Sequence, residues 1–176
     1  ALIGALGSIV AAWHRIRSNQ DPISSNPQST YAENFLLMLG AEKITPLMTR
    51  IMDATLVLHG EHTINASTFT AMVTSSTLAN ASQVVASAIG SLSGPLHGGA
   101  NEKVVSMLSK IDSKDDIRPW LDDTLKAKNV VWGMGHREYS VKDPRANILT
   151  DMVQELFNER EGGVTDIFEK AIELEK

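Results

Sequence analysis

The chain of 176 residues contains no cysteine. That excludes a disulfide scaffold, a thiolate metal centre, a cysteine nucleophile and thiol redox chemistry. Aromatic residues are scarce, at 5%. The core must therefore come from Ala, Leu, Ile, Val and Met, a composition that suits helices packed on helices. Positive charge is not in excess either. Sixteen Lys and Arg against 21 Asp and Glu leave a net charge of -5, so the basic footprint of a general nucleic-acid binder is missing. Long hydrophobic runs are absent too. The most apolar stretch, Ala1 to Trp13, meets His14, Arg15 and Arg17, well short of the roughly 20 residues of a membrane span. No basic segment precedes it and no small-residue cleavage site follows, so it does not read as a signal peptide. The expected compartment is the cytoplasm. With 43% apolar and 21% charged residues, disorder throughout is excluded, because such a chain can bury enough surface to offset its ordering entropy.

What is present reads almost throughout with helical period. Leu2, Leu6, Ile9, Trp13 and Ile16 recur at a spacing of three to four over Ala1–Ser18. A Pro- and Ser-bearing loop follows over Asn19–Thr30, then a short helix over Tyr31–Leu39 that stops near Gly40. Thr45-Pro46 predicts an N-cap with Pro at the first helical position, opening a helix to about His59. Thr63–Ala88 has no titratable side chain and is rich in Ala, Ser, Thr and Val. It predicts two tightly packed, mostly buried helices, serving either a plain core or a subunit interface. Helices are expected over Asn101–Ile111, Pro119–Lys128, Arg145–Glu161 and Thr165–Leu174, with Val130-Val131-Trp132 as a strand-like stretch. Composition shifts near residue 98 from small and neutral to more charged, and that is the expected domain boundary.

The chemistry-bearing residues cluster at glycines. His97 lies in GPLHGGAN, between a Pro-fixed turn and two glycines, just before a helix opening at Asn101. Glycine permits close backbone approach, and the N–H groups of a helix start favour a neutral imidazole or an anion nearby. A neutral imidazole can donate to a carbonyl oxygen as it becomes an enolate; a locally satisfied turn histidine is the plainer reading. In GMGHREYSVKDPR, Gly133 and Gly135 allow a bulky group to approach the backbone, and His136 follows. Arg145 opposes the dipole of the helix it opens, so it needs an anion, either Asp143 or a carboxylate ligand. His59 and His62 in HGEH could join another histidine on a metal, but the spacing is not HExxH, and no metal is expected. His14, among arginines, reads as solvated.

Three segments, HGEHTINASTF at 59–69, GSLSGPLHGGANEKV at 90–104 and GMGHREYSVKDPRA at 133–146, together resemble the citrate synthase family in its bacterial and cyanobacterial form. The resemblance implies an all-α fold, with residues 1–97 part of a large dimerisation domain and 98–176 an incomplete small domain that binds CoA. It implies condensation of acetyl-CoA with oxaloacetate and hydrolysis of citryl-CoA to citrate, as in the tricarboxylic acid cycle. The protein would be a homodimer or higher homo-oligomer with acetyl-CoA as co-substrate and no permanently bound cofactor. By this resemblance His97 holds the acetyl thioester oxygen, and His136 polarises and protonates the oxaloacetate carbonyl. His62 and Arg145 bind oxaloacetate, and Gly133, Met134 and Gly135 face CoA. Asn65 and Ser67 match motif positions without an assigned role. Ser140 stands where relatives usually have lysine, and Trp132 and Met134 replace commoner residues. The family's aspartate base falls past Lys176, so the expectation is a central fragment of a longer chain. The alternatives are a 2-methylcitrate synthase, which takes propionyl-CoA, a non-catalytic helical assembly module, or a metal-dependent hydrolase.

Overall fold

A computed structural model describes residues 2–60, 63–135, 141–159 and 164–176. The described residues are all-α: helices and turns with no strand. The chain divides into two compact units. One comprises Ala1–Glu61 and Asp143–Glu161, the other His62–Lys142 and Gly162–Lys176.

The first unit holds α1 (Leu2–Arg17), α2 (Tyr31–Leu39), α3 (Pro46–Leu58) and α8 (Pro144–Glu159). The local signals act as expected. Thr45 caps α3 by accepting the Met48 N–H, with Pro46 at the first helical position. Thr30 caps α2, which ends on Gly40 in the left-handed conformation at φ +99°. Helix α2 packs on both α1 and α3, and α3 packs on α8. The α1–α2 contact is made through small residues. Gly7 and Ala11 are the buried residues of α1, and a Cβ on Gly7 would lie 2.6 Å from the Tyr31 hydroxyl. That hydroxyl donates to the Ile3 carbonyl at 3.0 Å. The large apolar stripe of α1 lies off this contact, and Trp13 is 61% exposed.

The second unit holds α4 (Ala66–Ser76), α5 (Ala81–Leu92), α6 (Ala100–Leu108), a 3-10 turn (Lys114–Asp116), α7 (Ile117–Lys126) and α9 (Asp166–Glu175). Asn65 caps α4, and Asn80 with Gln83 forms a capping box on α5. The two helices pack together, with Thr74 and Ser87 hydroxyls 2.9 Å apart across the contact. The pairing matches expectation but the burial does not. Neither helix has a buried residue, and Phe69 is 59% exposed. Small side chains let two backbones approach, yet a pair of helices covers only one side of each.

The core of this unit is Leu108, Ile111 and Ile117, with Val104, Met107, Trp120, Ala171 and Leu174 around it. Helix α9 packs on α6 and α7 and places Lys170 beside this core at 2% exposure, its Nζ 2.5 Å from Asp166 Oδ2. The strand-like stretch is not a strand. Val130 and Val131 have no regular secondary structure and Trp132-Gly133 turn, because among the described residues no neighbouring strand offers hydrogen bonds to a β-prone tripeptide.

Ile117 is 0% exposed and sits where α6, α7 and α9 converge. Ile117→Ala is expected to destabilise the protein by about 2–5 kcal/mol, the usual cost of a large-to-small core change, measured by urea unfolding. A loss of only a few tenths would mean that Ile117 does not anchor this core.

Candidate active site

The site around His97 starts at a helix cap. The first N–H groups of any α-helix have no carbonyl partner within the helix. At α4, Asn65 Oδ1 accepts the Thr68 N–H at 2.9 Å. Ser67, in the first turn, keeps a free N–H, and that N–H points at His97 Nε2 at 3.4 Å. The Ser67 hydroxyl is nearer to Nε2, at 2.9 Å, and lies 2.8 Å from Asn65 Oδ1.

A backbone N–H can only donate, so the Ser67 N–H faces Nε2 as an acceptor, the arrangement that goes with an imidazole proton on Nδ1. The Ser67 hydroxyl donates to Asn65 Oδ1. His97 is half-buried against the start of α4.

The turn that carries His97 depends on its glycines. The Gly98 N–H donates to the Leu92 carbonyl at 2.9 Å and the Gly99 N–H to the Gly94 carbonyl at 3.1 Å. A Cβ on Gly98 would lie 2.6 Å from the Leu92 carbonyl oxygen, closer than any side chain tolerates without a backbone shift. The two glycines therefore let the chain fold back on the end of α5 and aim His97 at Ser67.

In the same unit, Gly133 and Gly135 adopt φ of +89° and +76°, a region that glycine enters without steric cost. Val104 lies against Gly133, 3.1 Å from the position of an added Cβ. Met134 donates its N–H to the Val131 carbonyl at 3.2 Å and exposes its side chain.

Arg145 belongs to the other unit. Asp143, just before α8, accepts the Arg145 N–H at 2.9 Å and faces the guanidinium through both carboxylate oxygens, from Nε at 3.0 and 3.1 Å and from Nη2 at 2.6 Å. Nη1 reaches the Leu58 carbonyl at 3.4 Å. The fork geometry explains how a cation tolerates a helix start, and Asp143 supplies the anion that the sequence required. His59 closes α3, its Nδ1 2.7 Å from the Thr55 carbonyl. His14 is exposed, as expected. His62 and His136 lie outside the described residues. Among the described residues no three His, Asp or Glu side chains group as metal ligands do, and no helix is long and apolar enough to cross a membrane.

The Ser67–His97 contact is the functional feature that sequence reasoning left without a role. Thirty residues separate the partners, and no local pattern marks the pairing. The signal within reach was the Asn-Ala-Ser start of α4 beside a glycine-bounded histidine.

Among the described residues this is an all-helical protein with a histidine held in a glycine turn against a helix cap. Comparison with known proteins narrows the class. The profile of the family described as citrate synthase, C-terminal domain, matches residues 1–176. A citrate synthase of Synechocystis is 49% identical over 175 residues, covering 99% of this chain and 44% of its own length. One of Acidithiobacillus ferridurans is 46% identical over 175 residues, covering 99% and 45%. Among solved structures, the citrate synthase of Thermoplasma acidophilum, a ternary complex with carboxymethyl coenzyme A and oxaloacetate, superposes with a TM-score of 0.87 at 31% identity, covering 99% of this chain and 46% of that one. That of Thermotoga maritima gives 0.81 at 36%, covering 96% and 45%. The chain belongs to the citrate synthase family, and it spans less than half the length of these relatives.

Two outcomes follow from the site. Ser67→Ala keeps the backbone N–H that faces Nε2 and is expected to leave the His97 proton on Nδ1, read from the imidazole 15N shifts, while a move of the proton to Nε2 would show that the hydroxyl and not the helix start sets the tautomer. Asp143→Ala removes both the acceptor at the α8 start and the guanidinium partner. It should cost about 1 kcal/mol in urea unfolding, the typical worth of a cap, and no change would remove the helix-start role.

Proposed function

We propose that this chain works within a citrate synthase that condenses acetyl-CoA with oxaloacetate and hydrolyses the resulting citryl-CoA to citrate and CoA. The observation that carries the reading is the His97 arrangement: the Ser67 N–H faces Nε2, the orientation that leaves Nδ1–H as a donor. When a base removes a methyl proton from acetyl-CoA, negative charge develops on the thioester oxygen. A preorganised Nδ1–H stabilises that charge most where it is greatest, in the transition state. The base, by the family resemblance, is an aspartate that the three motifs do not include.

The enolate carbon then attacks the ketone carbon of oxaloacetate. His136 polarises that carbonyl and protonates the alkoxide. Arg145 and His62 hold oxaloacetate, and a substrate carboxylate on Arg145 takes up the fork-like binding that Asp143 offers. Gly133, Met134 and Gly135 present backbone to CoA, for which the left-handed glycines leave room. Water hydrolyses citryl-CoA, and the reaction needs no resident cofactor.

The large domain takes residues 1–97 and the small domain 98–176, a division that follows the catalytic motif and is separate from the packing units. The exposed small-residue helices α4 and α5 favour a homodimer or higher homo-oligomer. The charge balance and absence of a long apolar helix among the described residues suit a cytoplasmic enzyme of the tricarboxylic acid cycle.

The test is release of free CoA from acetyl-CoA by the intact protein, dependent on oxaloacetate. His97→Ala is expected to lower kcat by about 10²–10³, the worth of a preorganised donor to a developing oxyanion. Near-wild-type turnover in that variant would refute its role. A clear preference for propionyl-CoA would reassign the enzyme to 2-methylcitrate synthesis.

A further inference from the structure

A cleft of about 480 Å³ lies in the unit that holds α1, α2, α3 and α8, within the range of small-molecule sites. The starts of α2 and α3 and the residue leading into α3 form its walls. The proposed reaction uses none of its lining residues.

The charges in the cleft are unbalanced. Glu33 of α2 and Asp53 of α3 both line it. Neither carboxylate has an ion pair or side-chain hydrogen bond among the described residues, although Asp123, Asp166, Glu169, Glu173 and Glu175 each hold a lysine. Glu33 is also half-buried, so water cannot surround it fully. Two like charges on one cleft repel each other and gain from a cation placed between them. Arg50 is the one cation among the lining residues, and it is paired with Glu155 of α8.

Helix starts attract anions, yet here that demand is already met in part. Thr30 accepts the Glu33 N–H at 3.3 Å, and Thr45 accepts the Met48 N–H at 3.2 Å. Glu33 itself stands on the first turn of α2. A further anion would meet two carboxylates, so a cation is the favoured guest.

The other lining groups define what kind of cation. A hydroxyl oxygen has two acceptor sites, and an ammonium group has three N–H donors to place. The caps use one site each on Thr30 and Thr45. The half-buried Thr49 hydroxyl, also on the wall, has no hydrogen bond among the described residues. Ile44 and Pro46 supply apolar surface for methylene groups. A bare metal ion fits poorly, because hard cations gather six or more oxygens at close range, and a single ion would leave most of this volume empty.

From this combination we infer that the cleft binds an aliphatic diamine, with one ammonium group at Glu33, the other at Asp53, and the methylene chain along Ile44 and Pro46.

The probe is 1,4-diaminobutane, titrated calorimetrically into the intact protein at low salt. Saturable binding is expected, weakened at least tenfold in Glu33→Gln/Asp53→Asn, with an unchanged circular dichroism spectrum. Asp53→Asn alone, at an exposed position, should weaken it as well. n-Butylamine, which has one charge, should bind at least tenfold more weakly than the diamine. Asp112→Asn/Asp122→Asn removes two exposed carboxylates of the other unit and should leave affinity unchanged. Absence of binding to the wild type, or full affinity in the Glu33/Asp53 variant, would overturn the proposal. So would an equal loss in the Asp112/Asp122 variant, the mark of general attraction to an acidic chain, or butylamine binding as tightly as the diamine.

Discussion

A helix cannot satisfy its own first N–H groups, and the arrangement around His97 depends on how the start of α4 solves that problem. Asn65 takes the Thr68 N–H and leaves the Ser67 N–H directed at His97 Nε2. An exposed N–H in that place would bond water and set nothing. Directed at an imidazole, it chooses the tautomer, because a donor facing Nε2 excludes a proton there. The Ser67 hydroxyl lies 2.9 Å from the same nitrogen while it donates to Asn65. The fixed groups of a helix start thus orient a histidine without a charged partner.

Close approach is the second requirement, and it is met by omission of side chains. Gly98 and Gly99 let the chain return to the carbonyls of Leu92 and Gly94, which brings His97 back to α4 over a short loop. The same device appears in the other unit, where Gly7 admits Tyr31 against α1. In a chain with few aromatics, tight backbone contacts of this kind replace bulky packing. Their consequence is one-sided burial: α4 and α5 touch each other through small residues and hydroxyls while Phe69, Met72 and Val73 stay exposed.

Much of the architecture was legible locally. Thr45-Pro46 and the Tyr31–Leu39 stop at Gly40 came out as written, because caps, prolines and left-handed glycines act within a few residues. The helix-start position of Arg145 demanded an anion, and Asp143 provides one two residues away. Two expectations failed for tertiary reasons. Val130-Val131-Trp132 has the composition of a strand but no strand beside it. The neutral stretch Thr63–Ala88 pairs as two helices, yet burial depends on how many neighbours surround a helix, which composition does not encode.

The sequence by itself determined an all-helical chain, its caps and turns, and the three glycine-bounded motifs that tie it to the citrate synthase family, since these are short-range properties of residue type and spacing. Only the tertiary structure decided that Ser67 and His97 meet, that the Ser67 N–H faces Nε2, and that Glu33 and Asp53 line one cleft. Those facts join residues far apart along the chain, and packing, not local propensity, sets the distances between them.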